Sequence, residues 1–311
     1  MKIPSTSLKE IAVLIGADFV GDANFSITGL NEIHKVEPGD ITFVDHPKYY
    51  DKALNSRATT VLINKKVECP EGKALLIHAD PFSAFLQIMR RFRPKEPIIA
   101  PISPSAEIGE GTIIHPFVFV GNHVKIGRNC LIQANVTIHD YCEIGDNVVI
   151  QSGSVIGGDG YYFQRRADGY KKFESFGRVI VGDNVEIGAL CAIDRGVTSD
   201  TIIGDGTKMD NHCQVGHDTI IGRNCLIGSH AAIAGVTEIE DDVILWGRVC
   251  VNKDLVVGKG AVILATSAVD KSVAPGETLF GTPARDVRKQ WRQQAAMAQL
   301  PELLRDYYKK K

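Results

Sequence analysis

Beginning at Ile102, every sixth residue is apolar: Ile108, Ile114, Val120, Ile126, Ile132, Ile138, Ile144, Ile150 and Ile156. The register resumes at Val181, Ile187 and Ile193. It resumes again at Ile203 and runs through Met209, Val215, Ile221, Ile227, Ile233, Ile239, Leu245, Val251, Val257, Ile263 and Val269. All 25 positions are apolar, where a chain that is 44% hydrophobic would supply about 11 by chance. Helices repeat near 3.6 and strands at 2, so neither gives this pattern. A period of six is that of a hexapeptide β-helix, in which each hexad is a short strand plus a turn and three hexads close a coil of about 18 residues. The aliphatic side chain points inward and stacks on its equivalents above and below. A small or β-branched residue precedes it by two, as at Ala106, Thr112, Val118, Val124 and Cys130, and glycine follows it in 12 of 25 cases. About eight coils result, roughly 40 Å at the strand spacing of ~4.8 Å. The fold class is therefore mainly β, a parallel β-helix with appendages at both ends.

Two stretches interrupt the beat: GDGYYFQRRADGYKKFESFGR, residues 158 to 178, and four extra residues within DRGVTSDTII, 194 to 203. Loops thrown out of a solenoid are its natural functional surface. Residues 1–100 carry no hexad beat and read as a small α/β domain. Ser7 and Glu10 suit a capping box, Gly16 a C-terminal stop, and DITFV, TTVLIN and ALLIHA short strands. MRRFRPKEP reads as a basic linker into the β-helix domain, 101–282. Residues 283–311 form a helical extension that Pro301 breaks or restarts, and both appendages are placed to cap open strand edges. The formal charge of −2 gives no electrostatic case for nucleic acid. No apolar run approaches the ~18 residues needed to span a bilayer, and the start lacks the apolar segment of a signal peptide. Seven cysteines without a C-x-x-C pair suggest a reducing cytoplasm.

The stretch DNHCQVGHDTIIG, residues 210 to 222, sets His212 and His217 five apart. Stacking arithmetic puts residues 18 apart on the same face of adjacent coils, so His212 lies over His230 and His217 over Gly235. A zinc site needs three or four converging ligands, for which His230 would have to be the third. This leaves a metalloenzyme of the γ-carbonic anhydrase type as an alternative to a lone catalytic base, and a non-catalytic scaffold as another. Cys130, Cys142, Cys191, Cys213 and Cys225 fill the small-residue slot and read as packing. His115 and His139 fall at solvent-facing turns, and the runs Arg90–Arg93 and Lys309–Lys311 read as solvated.

The domain order, with GGDGYYF, IDRG, MDNHCQVGHD and a helical tail after GTPA, resembles the UDP-3-O-acylglucosamine N-acyltransferases of lipid A biosynthesis over essentially the whole chain. The repeat alone is unspecific; DITFVDHPKYY carries the specific likeness, to that family's uridine-binding segment. The resemblance implies left-handed coiling and a homotrimer. It implies transfer of a (R)-3-hydroxyacyl chain from acyl carrier protein to the sugar 2-amine, with no cofactor beyond the 4'-phosphopantetheine that arrives on the carrier. His217 becomes the general base, preceded by Asp210 and Asn211, and Gly235 the oxyanion donor. Phe43 and Tyr49 would hold the uracil ring, projecting from a loop. His46 stands where the family often has asparagine, and Asp254 where it has a histidine near the pantetheine arm. Lys271, Arg285, Arg288 and Lys289 form a basic cluster suited to an acidic carrier. An amino-sugar N-acetyltransferase using acetyl-CoA is the nearest rival within acyl transfer.

Overall fold

In the computed structural model, which describes residues 1–309, the hexads build three sheets of 8, 10 and 8 strands, parallel throughout except that the terminal strand Arg285–Asp286 pairs antiparallel with Thr278–Phe280. Of the terminal lysine run, Lys310 and Lys311 lie outside the described residues. Regular coils pair at a spacing of 18, as Lys125 with Glu143 and Ile126 with Ile144. Across the first interruption Ile144 pairs with Val181, and across the second Val181 pairs with Ile203. The inward column therefore stays in register across both insertions, with one local irregularity where Gly158 pairs with Asp194. The aliphatic column forms one continuous core, with Ile132, Ile138, Ile150, Val215 and Ile263 fully buried. Cys130, Cys142, Cys191, Cys213 and Cys225 are buried with it. Most turns hold one residue in the left-handed region, often Asn or Asp, the non-glycine types that tolerate it best.

The chain divides into two compact units, and the first is not contiguous in sequence. It comprises Met1–Pro97, Tyr161–Gly177 and Gly196–Ser199. Its six-stranded sheet runs in the order Lys2–Ser7, Ser26–Leu30, Asp40–Val44, Thr60–Ile63, Ala74–Ile77, Asp18–Val20. The helix Leu8–Ile15 has the capping box between Ser7 and Glu10 and a left-handed Gly16 at its end. A second long helix, Pro81–Phe92, absorbs the first residues of the expected linker: Asp80 caps it, and Phe82, Phe85, Leu86, Ile88 and Met89 are buried. Most of the long insertion belongs here too. It forms a hairpin, Phe163–Arg166 with Gly169–Lys172, followed by Phe173 and Phe176, which enter the core of this unit. The insertion is therefore partly structural, not only an exposed loop.

The second unit contains the β-helix and a C-terminal helix, Val287–Lys309. Pro301 does not interrupt that helix, contrary to expectation. A proline removes one backbone donor, and the strong helix formers around it, Gln, Ala, Met and Leu, outweigh that loss.

Candidate active site and nucleotide cavity

His217 lies two residues past the inward Val215, at a corner of the β-helix. Its side chain is 17% exposed and its Nδ1 lies 2.9 Å from Asp218 Oδ2, a carboxylate that is completely buried. Asp218 is the left-handed residue of this turn, at φ 57°, which bends its carboxylate back onto the preceding ring. Its own backbone N–H donates to Thr201 Oγ1 at 2.9 Å. A carboxylate can only accept, so Nδ1 carries the proton and Nε2 is the basic nitrogen of the neutral imidazole. Gly160 packs against the ring: a methyl group there would lie 2.8 Å from His217 Cβ.

Gly235 stands one coil beyond. A methyl group on it would lie 3.0 Å from His217 Nε2 and 2.9 Å from His217 O, so only glycine leaves this space open. At the same corner nearer the N-terminus, the Asn122 N–H is capped by Asp140 Oδ1 at 2.7 Å. At another corner, Asp241 caps Arg223 in the same way. The residue stacked on Gly235 is Lys253, which brings no acceptor, and among the described residues none takes the Gly235 N–H. An open backbone donor beside a basic imidazole nitrogen suits acyl transfer, the donor facing the developing oxyanion and the imidazole the attacking group. The same corner carries Arg195 one coil before His217, and Lys253 and Lys271 in the two coils after Gly235, following the pairing of Ile193 with Val215, Val215 with Ile233, Ile233 with Val251 and Val251 with Val269.

The other expected residues fall as follows. His212 stacks on His230 with ring centroids 4.8 Å apart, and among the described residues no group of three or more metal-binding side chains is assembled. Asn211 Oδ1 accepts from the Ala189 N–H at 2.7 Å, and Asp210 Oδ1 accepts from the Asn211 N–H at 2.7 Å. Both thus serve a neighbouring corner of the coil, away from the His217 turn. His139 is half-buried rather than fully solvated: burial first, and then the nearby Arg195 charge, push its pKa down. Asp254 is exposed, and its N–H reaches Gly235 O at 3.4 Å. Arg285 is paired with Asp270 at 2.8 Å, which removes it from the free basic cluster. Lys271, Arg288 and Lys289 have no ion pair among the described residues. Past Gly235 the sheet carries Ala232, Ala234, Cys250 and Ala268, where earlier coils carry Phe119, Thr137 and Val155. These small side chains line a shallow apolar trough of about 360 Å³.

The first unit has a cavity of about 440 Å³ lined by Phe43, Asp45, His46, Tyr49, Tyr162 and Gln164 among others. Tyr49 is 49% exposed, in the short 3-10 turn Pro47–Tyr49 that His46 caps. Phe43 differs from expectation. It lies within the strand Asp40–Val44 and is one of four clustered phenylalanines, stacked on Phe173 at 5.6 Å and 5.0 Å from Phe85. It presents only part of its ring to the cavity because the insertion's Phe173 covers the rest.

A β-helix bearing such a base and an open amide is the framework of a hexapeptide-repeat transferase, and residues 105–140, 123–158 and 200–235 match the family model for the bacterial transferase hexapeptide (six repeats). Residues 24–91 match the model for UDP-3-O-(3-hydroxymyristoyl) glucosamine N-acyltransferase. The UDP-3-O-acylglucosamine N-acyltransferase of Methylobacterium sp. (strain 4-46) is 35% identical over 94% of this chain and 93% of its own length. That of Coxiella burnetii is 32% identical over 92% and 91%. Among solved structures, the Francisella novicida UDP-N-acetylglucosamine acyltransferase superposes with a TM-score of 0.55 at 28% identity, over 64% of this chain and 73% of that one. The chain belongs to the UDP-3-O-acylglucosamine N-acyltransferase family.

Proposed function

We propose that the chain acylates the 2-amine of a UDP-3-O-acylglucosamine in lipid A biosynthesis, with His217 as general base. The observation that carries this is the His217–Asp218 pair facing the uncapped Gly235 N–H. The amine nitrogen attacks the thioester carbonyl carbon as Nε2 takes an amine proton. The carbonyl oxygen becomes an oxyanion held by the Gly235 N–H, and collapse expels the thiolate, which recovers a proton from the imidazolium. Asp218 holds the proton of the neutral ring on Nδ1, so that Nε2 faces the amine, and stabilises the imidazolium that forms. The uridine occupies the Phe43–Tyr49 cavity. The donor is a 3-hydroxyacyl chain on 4'-phosphopantetheine of acyl carrier protein, and Lys271, Arg288 and Lys289 offer charge complementary to that acidic partner. The apolar trough of Ala232, Cys250 and Ala268 suits an aliphatic arm. The working form is a cytoplasmic homotrimer; no helix among the described residues is long and apolar enough to cross a membrane.

The test is turnover of UDP-3-O-acylglucosamine with 3-hydroxyacyl carrier protein and acetyl-CoA in competition, read by mass spectrometry. The expected product carries one added hydroxyacyl amide. An acetylated product, or none, overturns the proposal.

A further inference from the structure

Past Gly235 the apolar trough runs on for two more coils, from Ala232 and Ala234 by way of Cys250 and Asn252 to Ala268 and Asp270. The corner along that edge carries Lys253 and then Lys271, as the pairing of Ile233 with Val251 and of Val251 with Val269 requires. Both lysines are exposed, and among the described residues neither ammonium has a hydrogen bond or an ion pair. The carboxylate at that end of the trough, Asp270, is already taken: its two oxygens accept from Arg285 at 2.8 and 3.3 Å. That bond holds its pKa below the usual carboxylate range. Two cations on successive coils without a counter-ion repel each other, and an anion laid beside them relieves that repulsion. The far end of the trough is therefore electropositive although it contains a carboxylate.

A thioester donor fixes how far along the trough its own anion falls. With the thioester carbonyl at the Gly235 N–H, the arm extends along the small side chains toward Asp270. From sulfur to phosphorus 4'-phosphopantetheine has about thirteen bonds, the length of some four extended residues, or about 15 Å. Lys271 stands two coils past Gly235, about 10 Å at the strand spacing, and its side chain reaches a further ~6 Å. Lys253, one coil past Gly235, lies beside the middle of the arm, where the groups are neutral amides. We propose that Lys271 binds the 4'-phosphate of the donor's arm, with Arg285 holding the Asp270 carboxylate away from it. This rests on the donor reading given above. It assigns Lys271 to the prosthetic group of the carrier and leaves Arg288 and Lys289 to the carrier's surface.

Competition against isotope-labelled 3-hydroxyacyl carrier protein tests it, with the full chain and UDP-3-O-acylglucosamine. The competitors are 3-hydroxyacyl pantetheine and its 4'-(methyl phosphate), a diester like the one on the carrier. The readout is the concentration of each that halves the labelled product. In the parent the phosphorylated competitor is expected to act at about 3- to 20-fold lower concentration, the scale of one partly screened charge-assisted contact, and its advantage to shrink as salt rises. Lys271→Met is expected to cut that advantage below about twofold, as loss of the cation removes the contact, while Lys253→Met keeps most of it. Equal competition by the two compounds in the parent overturns the inference. So does an advantage that survives in Lys271→Met, or one that Lys253→Met removes as fully. A Lys271→Met variant that weakens both competitors alike also overturns it, because the lysine then acts on something other than the phosphate. If Lys271→Met fails to fold, as judged by its melting curve, the parent's two-competitor comparison still decides. Absence of labelled product in the parent is a separate failure: it removes the carrier-protein donor, and the role of Lys271 with it.

Discussion

Replacing Asp218 by Asn probes the pair at the heart of the site with little steric change. Asparagine is close in shape and tolerates the left-handed turn at φ 57°, and the backbone bond to Thr201 does not involve the side chain. What changes is the group 2.9 Å from His217 Nδ1. The carboxylate's hydrogen bond to the imidazolium becomes a neutral one. Charge-assisted bonds contribute about 1.5–3 kcal/mol against about 1 for neutral ones, a difference of about 0.5–2 kcal/mol that lowers kcat by about 2- to 30-fold. If the carboxamide turns its amino group toward Nδ1, the ring is forced to carry its proton on Nε2 and cannot act as a base. The loss then rises toward about 10⁴, the value reached when the equivalent change traps the wrong tautomer in a serine-protease triad. Steady-state acylation followed by mass spectrometry measures kcat, and UDP titration measures binding, which is expected to stay within about twofold of the parent. A variant whose kcat is indistinguishable from the parent's would show that Asp218 neither orients nor charges the imidazole.

Tyr49→Ala is expected to raise the UDP Kd by about 5- to 150-fold, the worth of an aromatic stack on a base, with the melting temperature almost unchanged because the ring is half exposed. Phe43→Ala is expected to weaken UDP and also to lower stability by about 2–4 kcal/mol, since Phe43 supports Phe85 and Phe173; denaturant melts distinguish the two variants. Gly235→Ala puts a methyl 3.0 Å from Nε2 and is expected to cost about 10²–10³ in kcat, the scale of losing an oxyanion donor, with UDP affinity retained. Parental kcat in that variant refutes the assignment. Charge reversal at Arg288 and Lys289 is expected to raise KM for the carrier-protein donor and flatten its salt dependence. An unchanged KM across salt concentrations argues against carrier docking there.

The β-helix was legible because a solenoid repeats one local rule, so each inward aliphatic residue is an independent witness to the same register. The capping box at Ser7 and Glu10 was legible for a similar reason, being complete within four residues. What stayed hidden depends on contacts between distant segments. The helix Pro81–Phe92 makes sense as a buried element only once Phe173 and Phe176, more than 80 positions along, join its core. The same contacts move Phe43 from a loop onto a strand beneath the cavity. Asp218 was adjacent to His217 throughout, yet its role follows from a left-handed turn that folds it back. The open N–H of Gly235 is visible only by comparison with corners where an aspartate from the next coil closes it.

The most direct test of the account is the single-turnover rate of amide formation, with saturating hydroxyacyl carrier protein and UDP-3-O-acylglucosamine, in His217→Ala and His212→Ala. The account predicts a loss of about 10²–10⁴ for His217→Ala, the usual contribution of a positioned base, and a rate within about threefold of the parent for His212→Ala. Equal losses at the two positions, or a parental rate in His217→Ala, would contradict it.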